Sequence, residues 1–320
     1  MSPPPRTELT VDQASEGERI DLYVGRALGL SRARLRSLFE MGAVRVEGRR
    51  AKKGETVRAG ERVEVEIAPE DPRPLPEPER PLQILHSDEA LVFVDKPSGW
   101  PSHPLLPGER GTVVNALVAR FPECVEASAD PREGGLCHRL DVQTSGVLLA
   151  ARARTVWKRM REAFSGRDID KRYWALVAGP IADEGEIDLP LRHVPRHPDR
   201  VEPAPDGHDA REALTIFRVL ARAGEHALVE ARILTGVLHQ VRAHLAAIGA
   251  PLVADAQYGG APLTGQAQEH FFLHARSLAF EHPLSGAQIR VEAPLPGDWP
   301  PVLLELGLDH PIGGTAPSAP

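Results

Sequence analysis

A proline-rich segment divides this chain into two parts that have to fold separately. Residues 69–81 contain six prolines, and proline fixes φ and lacks a backbone donor, so we expect a stiff linker there. It separates a small unit at 17–68 from a larger one at 82–307. The polar, proline-containing ends, 1–16 and 308–320, are predicted to be disordered tails.

The charge of the chain is unevenly distributed. The formal net charge is −7, but residues 26–58 contain ten basic and three acidic side chains and carry +7, which leaves −14 for the remainder. A basic patch on an acidic protein is a candidate surface for phosphate groups, and a solvated charged face is the alternative. The basic residues expected nearest to phosphates are Arg32, Arg34, Arg36, Lys52 and Lys53.

Local patterns predict two helices followed by strands in the small unit. A short helix is expected over residues 20–28, and Ser31 is a suitable N-cap for a second helix that Gly42 ends. Alternating apolar residues then indicate strands at 44–46 and 61–67.

The larger unit is rich in predicted strands. A helix is predicted over 154–165, and a shared apolar face at positions 238, 241, 245 and 248 indicates a second helix. Strands are predicted at 91–94, 147–150, 173–177, 214–220, 227–233 and 289–291. This mixture predicts an α+β fold with a mixed, largely antiparallel sheet and flanking helices.

Composition excludes several classes of protein. The two cysteines are too few for a disulfide framework or a structural zinc site and fit a reducing cytoplasm. No stretch approaches about 18 consecutive apolar residues, so no membrane helix is predicted. The sequence contains neither a Walker loop nor a dinucleotide-binding glycine motif. We therefore expect a cytoplasmic monomer without membrane association, bound metal or cofactor.

The residues that could support chemistry lie in three short segments. Asp141 precedes a predicted buried strand, where a carboxylate is either a site residue or the cap of a turn. Arg242 and His239, three apart, share a face of the second predicted helix. Arg242 could pair with a buried carboxylate or lie on the surface. The three segments are 138–146, 171–175 and 239–244.

Together these segments resemble the pseudouridine synthases of the RluA family, which isomerise uridine in ribosomal or transfer RNA. Residues 138–146 carry His-Arg-Leu-Asp-x-x-Thr-Ser-Gly intact, and 171–175 carry Lys-x-Tyr-x-Ala. A third motif runs from 235 to 259, with Val237 where the family usually has Arg and Ala254 where it has Gly. The resemblance extends over about residues 82–297.

The N-terminal unit separately resembles the αL RNA-binding module of a small-subunit ribosomal protein. The matching residues are Ser31-Arg32, the run 42–46 and Gly48. This second resemblance implies that the basic unit at 17–68 binds RNA.

The first resemblance implies a role for each residue of the site. Asp141 is the catalytic carboxylate and Arg242 its partner, while Tyr173 stacks on the target uracil. Arg139 fills the gap left by the flipped nucleotide, and Leu273 forms part of the pocket wall. The other residues expected at the substrate are His138, Thr144, Lys171, His239 and Gln240. The isomerisation involves no redox change, so no cofactor is implied.

The sequence therefore predicts an RNA pseudouridine synthase, and the αL module favours large-subunit ribosomal RNA over transfer RNA as the substrate. A catalytically silent RNA-binding or ribosome-assembly factor is the main alternative. The presence of Asp141, Tyr173 and Arg242 argues against it. A glycosidase is disfavoured because no second carboxylate is evident at a matching position.

Overall fold

The computed structural model describes residues 6–67, 71–263 and 270–308, and the chain divides into two compact units at 71/72. In the first unit the described residues form four antiparallel strands in the order β1-β4-β2-β3 with two helices. The elements are β1 (Arg6–Thr10), α1 (Ile20–Leu28), α2 (Arg32–Met41), β2 (Val44–Val46), β3 (Arg49–Arg50) and β4 (Arg62–Glu66).

The helices of this unit follow the predicted signals. The Ser31 hydroxyl accepts a hydrogen bond from the Arg34 amide at 3.3 Å, and Gly42 ends α2 in a left-handed conformation. Leu35, Leu38 and Phe39 are buried against the sheet. Burial of this apolar face fixes α2 on the strands and leaves Arg32 and Arg36 exposed.

The predicted tails are wrong where they meet the folded units. Residues 6–10 form β1, which pairs with β4, and Arg6 Nη1 donates to Glu64 Oε2 at 3.1 Å. The alternating sequence of this segment can complete the free edge of β4, which composition alone did not reveal. Leu308 is fully buried, and residues 309–320 lie outside the described residues.

The second unit contains a nine-stranded sheet in its described part. The order is β5-β6-β7-β14-β8-β13-β12-β9, with β15 paired to β14, and a separate hairpin consists of β10 and β11. The strands are β5 (Gln83–Ser87), β6 (Leu91–Lys96), β7 (Ser145–Ala151), β8 (Asp170–Ala178), β9 (Glu184–Asp188), β10 (Leu191–Val194), β11 (His197–Pro203), β12 (Leu214–Ala223), β13 (His226–Ile233), β14 (Leu273–Glu281) and β15 (Gln288–Glu292).

The helices of the second unit are α3 (Val113–Arg120), α4 (Arg154–Ser165), α5 (Gln240–Ala247) and α6 (Trp299–Glu305). Every strand predicted here lies within an observed one, and α4 has the predicted bounds. The α+β, largely antiparallel fold is confirmed. Across the described ranges, no helix combines the length and apolar character needed to cross a membrane.

The parallel contact between β7 and β14 lies at the centre of the sheet. Ser145 pairs with His274 and Gly146 with Ala275. Gly146 has φ +109°, and a Cβ on it would lie 2.2 Å from the Ala275 carbonyl oxygen. Only glycine permits this close approach, so the end of the 138–146 segment is fixed where two central strands meet.

Most of the predicted linker packs on the second unit. Asn115 Nδ2 on α3 donates to the Leu75 carbonyl at 2.8 Å, and the Glu77 amide donates to the Asn115 carbonyl at 2.9 Å. The Arg80 guanidinium lies 3.7 Å from the Trp100 ring centroid. These contacts satisfy backbone groups that a free linker would expose to water, so the prediction of a linker over 69–81 is wrong from residue 72 onward.

Candidate active site

A buried lysine holds the loop that carries Asp141 through hydrogen bonds to backbone carbonyls. Lys96 Nζ donates to the carbonyls of Pro97, Val142 and Thr144 at 3.0, 2.8 and 2.7 Å. Its side chain is fully buried, and burial lowers its pKa to about 7, while the charge of Asp141 opposes this shift. Lys96 therefore ties the end of β6 to the backbone on both sides of the loop.

Two serines complete this attachment. Ser98 Oγ donates to the Gln143 carbonyl at 2.7 Å, and Ser102 Oγ donates to the Leu140 carbonyl at 2.9 Å. The segment after β6 thus lies along the loop that carries Asp141. No local sequence signal indicates this support, because it is made through contacts between residues that are distant in the chain.

Arg242 connects two carboxylates. Its Nη1 donates to Asp141 Oδ2 at 3.1 Å, and its Nε and Nη2 donate to Asp255 at 2.7 and 2.9 Å. Nη2 also donates to Gln257 Oε1 at 2.8 Å, and the Phe271 ring centroid lies 4.3 Å from Cζ. The bidentate pair with Asp255 fixes the guanidinium, which in turn orients the Asp141 carboxylate.

Exposure differs between the two carboxylates. The Asp255 side chain is 1% exposed and that of Asp141 is 22% exposed. Asp255 is therefore enclosed by protein, whereas Asp141 is partly accessible from solvent.

His239 approaches Asp141 from the start of α5. It is the N-cap of that helix, with φ +51°, so the prediction that it shares a helical face with Arg242 is wrong. Its Nδ1 lies 3.1 Å from Tyr258 Oη and its Nε2 lies 3.7 Å from Asp141 Oδ2. Burial lowers the pKa of His239, which favours the neutral ring at neutral pH.

Tyr173 lies on β8 and packs in the apolar cluster that contains Leu273. Leu273 pairs with Ala175 across the sheet and packs in the same apolar cluster as the Tyr173 ring. Burial raises the pKa of the Tyr173 phenol, and the nearby charge of Asp141 raises it further. The phenol is therefore protonated at neutral pH.

His138 and Lys171 make contacts inside the protein. The His138 ring stacks on Phe164 with centroids 4.5 Å apart, and its Nε2 accepts a hydrogen bond from the Leu149 amide at 3.1 Å. Burial lowers the pKa of His138 to about 3. Lys171 is 4% exposed, and its Nζ donates to the Thr235 carbonyl at 3.2 Å. These two side chains hold α4 and the loop after β13 against the sheet.

Gln240 is likewise engaged within the protein. Its Oε1 accepts from the Thr235 hydroxyl at 2.8 Å, and its Nε2 donates to the Leu214 carbonyl at 2.9 Å. Thr144 is 2% exposed, and its Oγ1 finds no hydrogen-bond partner among the described residues. Gln240 thus supports the loop before α5, and the Thr144 backbone is bound by Lys96.

Arg139 differs from these residues because its side chain is exposed and forms no hydrogen bond or ion pair within the described ranges. The structure therefore brings Asp141, Arg242, His239 and Asp255 together, with Arg139 on the same loop as Asp141.

The basic residues at positions 32, 34, 36, 52 and 53 belong to the first unit. Among the described residues, no three His, Cys, Asp or Glu side chains form a group able to hold a metal ion.

The chain matches known proteins over about nine-tenths of its length. A family model described as RNA pseudouridylate synthase matches residues 90–247. "Ribosomal large subunit pseudouridine synthase D" of Xanthomonas campestris pathovar campestris is 35% identical, over 91% of this chain and 89% of that protein. An "Uncharacterized RNA pseudouridine synthase" of Chloroflexus aurantiacus is 36% identical, over 93% of each.

A solved human structure has the same architecture. "RNA Pseudouridylate Synthase Domain Containing 4" superposes with a TM-score of 0.55 at 25% identity, covering 70% of this chain and 93% of that one. The similarity therefore extends from the motifs to the fold that positions them. The chain belongs to the RluA family of RNA pseudouridine synthases and is an isomerase that forms pseudouridine from uridine in RNA.

Proposed function

We propose that this enzyme modifies uridine in large-subunit ribosomal RNA. The observation that carries the proposal is the 35% identity, over nine-tenths of both chains, to a relative named as a synthase for that RNA. The proposal implies action in the cytoplasm, where bacterial ribosomal RNA is found. We also expect a monomer.

Transcripts of large-subunit, small-subunit and transfer RNA labelled with tritium at uridine C5 test this substrate. Joining C1′ to C5 displaces the C5 hydrogen, so label is released only from a uridine that reacts. We expect release from the large-subunit transcript and background release from the other two. Release from transfer RNA alone would contradict the assignment.

We infer that Asp141 is the catalytic carboxylate. The reaction breaks the C1′–N1 bond, rotates the base and joins C1′ to C5, with a proton lost from C5 and one gained at N1. An ionised carboxylate can attack covalently or stabilise a glycal-like intermediate, and both routes need the orientation that Arg242 supplies. Arg139, exposed on the same loop, is suited to fill the space of the flipped nucleotide.

Tyr173 is expected to act as a stacking ring. Because its pKa is raised, the phenol holds its proton at neutral pH and is a poor base. Tyr173→Phe should keep most of the turnover, whereas Tyr173→Ala should lower kcat/KM by about 5- to 150-fold, the value of stacking on one base. Steady-state tritium release from the two variants tests this. A Phe variant as inactive as the Ala variant would assign the chemistry to the hydroxyl.

The first unit is proposed to bind RNA through its basic residues. Arg32, Arg36, Lys52 and Lys53 are exposed, as expected for groups that contact phosphates. Removing residues 1–71 should weaken RNA binding and lower the log–log salt slope by about 0.7–0.9 for each lost phosphate contact. Turnover at saturating RNA should persist, because the catalytic residues lie in the second unit.

Filter-binding at several salt concentrations, with full-length and truncated protein, measures both quantities. A matched variant with Arg32, Arg36, Lys52 and Lys53 all changed to Gln should reproduce most of the change in slope. An unchanged slope in both proteins would mean that the basic surface is only a solvated face.

A further inference from the structure

The guanidinium at the catalytic centre has little capacity left for the RNA backbone. All three nitrogens of Arg242 already donate to Asp141, Asp255 or Gln257. The cluster of Asp141, Asp255 and Arg242 contains two carboxylates and one guanidinium, so its net charge is −1. A nucleotide that enters with its phosphates is repelled unless another cation lies at the rim of the site.

The other cations nearby do not meet this need, because Arg139 is assigned above to the space of the flipped nucleotide and the two lysines are buried. Lys96 and Lys171 are 0% and 4% exposed, and their ammonium groups face backbone carbonyls within the protein. Position 237, where the family pattern has an arginine, is a valine here that packs against an apolar cluster that includes Val201 of β11. The side chain at this position therefore supports the hairpin and carries no charge.

Two hydrogen bonds attach the β10–β11 hairpin to residues 255–258, the segment whose side chains contact Arg242. Gln257 Nε2 donates to the Asp199 carbonyl at 3.2 Å, and the Val201 amide donates to Tyr258 Oη at 3.1 Å. These two contacts lie on either side of Arg200 in the chain. The backbone of Arg200 is therefore fixed relative to the catalytic centre, although β11 lies in a separate two-stranded sheet.

The Arg200 side chain extends over the same aromatic ring that Arg242 contacts. Its Cζ lies 5.5 Å from the Tyr258 ring centroid, and the Arg242 Cζ lies 5.0 Å from it. Arg200 is exposed and has neither a hydrogen bond nor an ion pair in the part of the chain that the structure describes. Cation–π contact orients the guanidinium and leaves its N–H groups available to an anion.

We propose that Arg200 binds a backbone phosphate of the substrate RNA beside the target uridine. This proposal rests on the active site proposed above, with Asp141 at the reacting sugar. The arginine fork offers two parallel hydrogen bonds to a phosphate, and its charge offsets that of the carboxylates. Arg200 then takes the place of the cation absent at position 237.

Four proteins test the proposal: wild type, Arg200→Gln, Arg200→Lys and Arg196→Gln. Arg196 is the matched control, because it is an exposed arginine between β10 and β11, outside the Asp199–Val201 stretch that hydrogen-bonds to residues 257 and 258. RNA dissociation constants are measured at several salt concentrations, and turnover is measured at saturating RNA. The RNA is whichever of the three transcripts the wild type modifies, so an error in the assigned substrate does not affect this comparison.

Arg200→Gln should weaken RNA binding about tenfold, the loss expected for a charge-assisted hydrogen bond. It should lower the salt slope by about 0.7–0.9, the value of one phosphate contact. Arg200→Lys should restore most of the RNA affinity and most of the salt slope. Arg196→Gln should bind RNA within about twofold of wild type, as for an ordinary surface substitution. Turnover at saturation should be unchanged in all four proteins.

Three results would overturn the proposal. An unchanged affinity and slope in Arg200→Gln would exclude a phosphate contact. Equal losses in the two Gln variants would indicate a general effect of the hairpin's charge. A fall in turnover with unchanged affinity would mean that Arg200 only supports Tyr258.

Discussion

Asp141→Asn should abolish pseudouridine formation and leave the protein folded. Asparagine keeps the shape of the side chain but removes its charge, so it can neither attack the substrate nor stabilise a cationic sugar. We expect turnover to fall by more than about 1,000-fold, as for removal of a catalytic nucleophile. The fold should persist because Arg242 keeps its bidentate pair with Asp255, and because Lys96 holds the loop through backbone carbonyls.

Tritium release measures the turnover of the variant, and thermal unfolding measures whether it keeps its fold. Asp168→Asn is the matched control, since Asp168 is an exposed carboxylate of the same unit. Both variants should unfold within a few degrees of wild type, and only Asp141→Asn should be inactive. Residual turnover above about one hundredth of wild type would remove Asp141 from its proposed role.

The central pairing of the site could be predicted from the sequence. Asp141 and Arg242 are 101 residues apart, yet their carboxylate–guanidinium contact was expected from the motifs and is present at 3.1 Å. An aspartate in a loop and an arginine on a helix, each within a family motif, have few roles in common other than to pair with each other.

The supports of the site could not be predicted, because each depends on tertiary contacts between residues with no local signal. Asp255 belongs to a recognised motif, but nothing in its neighbourhood indicates that it is the more buried partner of Arg242. The hairpin β10–β11 lies in a stretch of proline, histidine and charged residues that resembles a loop. Its strands form because Val201 packs against the segment before α5.

Arg242→Met should both destabilise and inactivate the enzyme. Methionine fills a similar volume but leaves the Asp255 carboxylate, whose side chain is 1% exposed, without a counter-charge. Removing one member of a buried ion pair costs about 3–5 kcal/mol of unfolding free energy. Asp255→Leu should also be costly, since it removes the carboxylate that accepts hydrogen bonds from Nε and Nη2 of the buried Arg242 guanidinium. Urea unfolding, read as a shift in midpoint at constant slope, measures both losses.

The double variant Arg242→Met/Asp255→Leu separates stability from catalysis. Replacing both members of a buried ion pair by apolar residues of similar size is often neutral for stability, because no buried charge is left unpaired. Asp141 also loses Arg242 in this variant, but its side chain is 22% exposed and can be solvated. We therefore expect the double variant to recover most of the lost unfolding free energy. Turnover should stay abolished, because Asp141 still lacks the guanidinium that orients it. An active double variant would show that Arg242 is needed only to neutralise Asp255, and the orientation of Asp141 would then have to come from His239, 3.7 Å away.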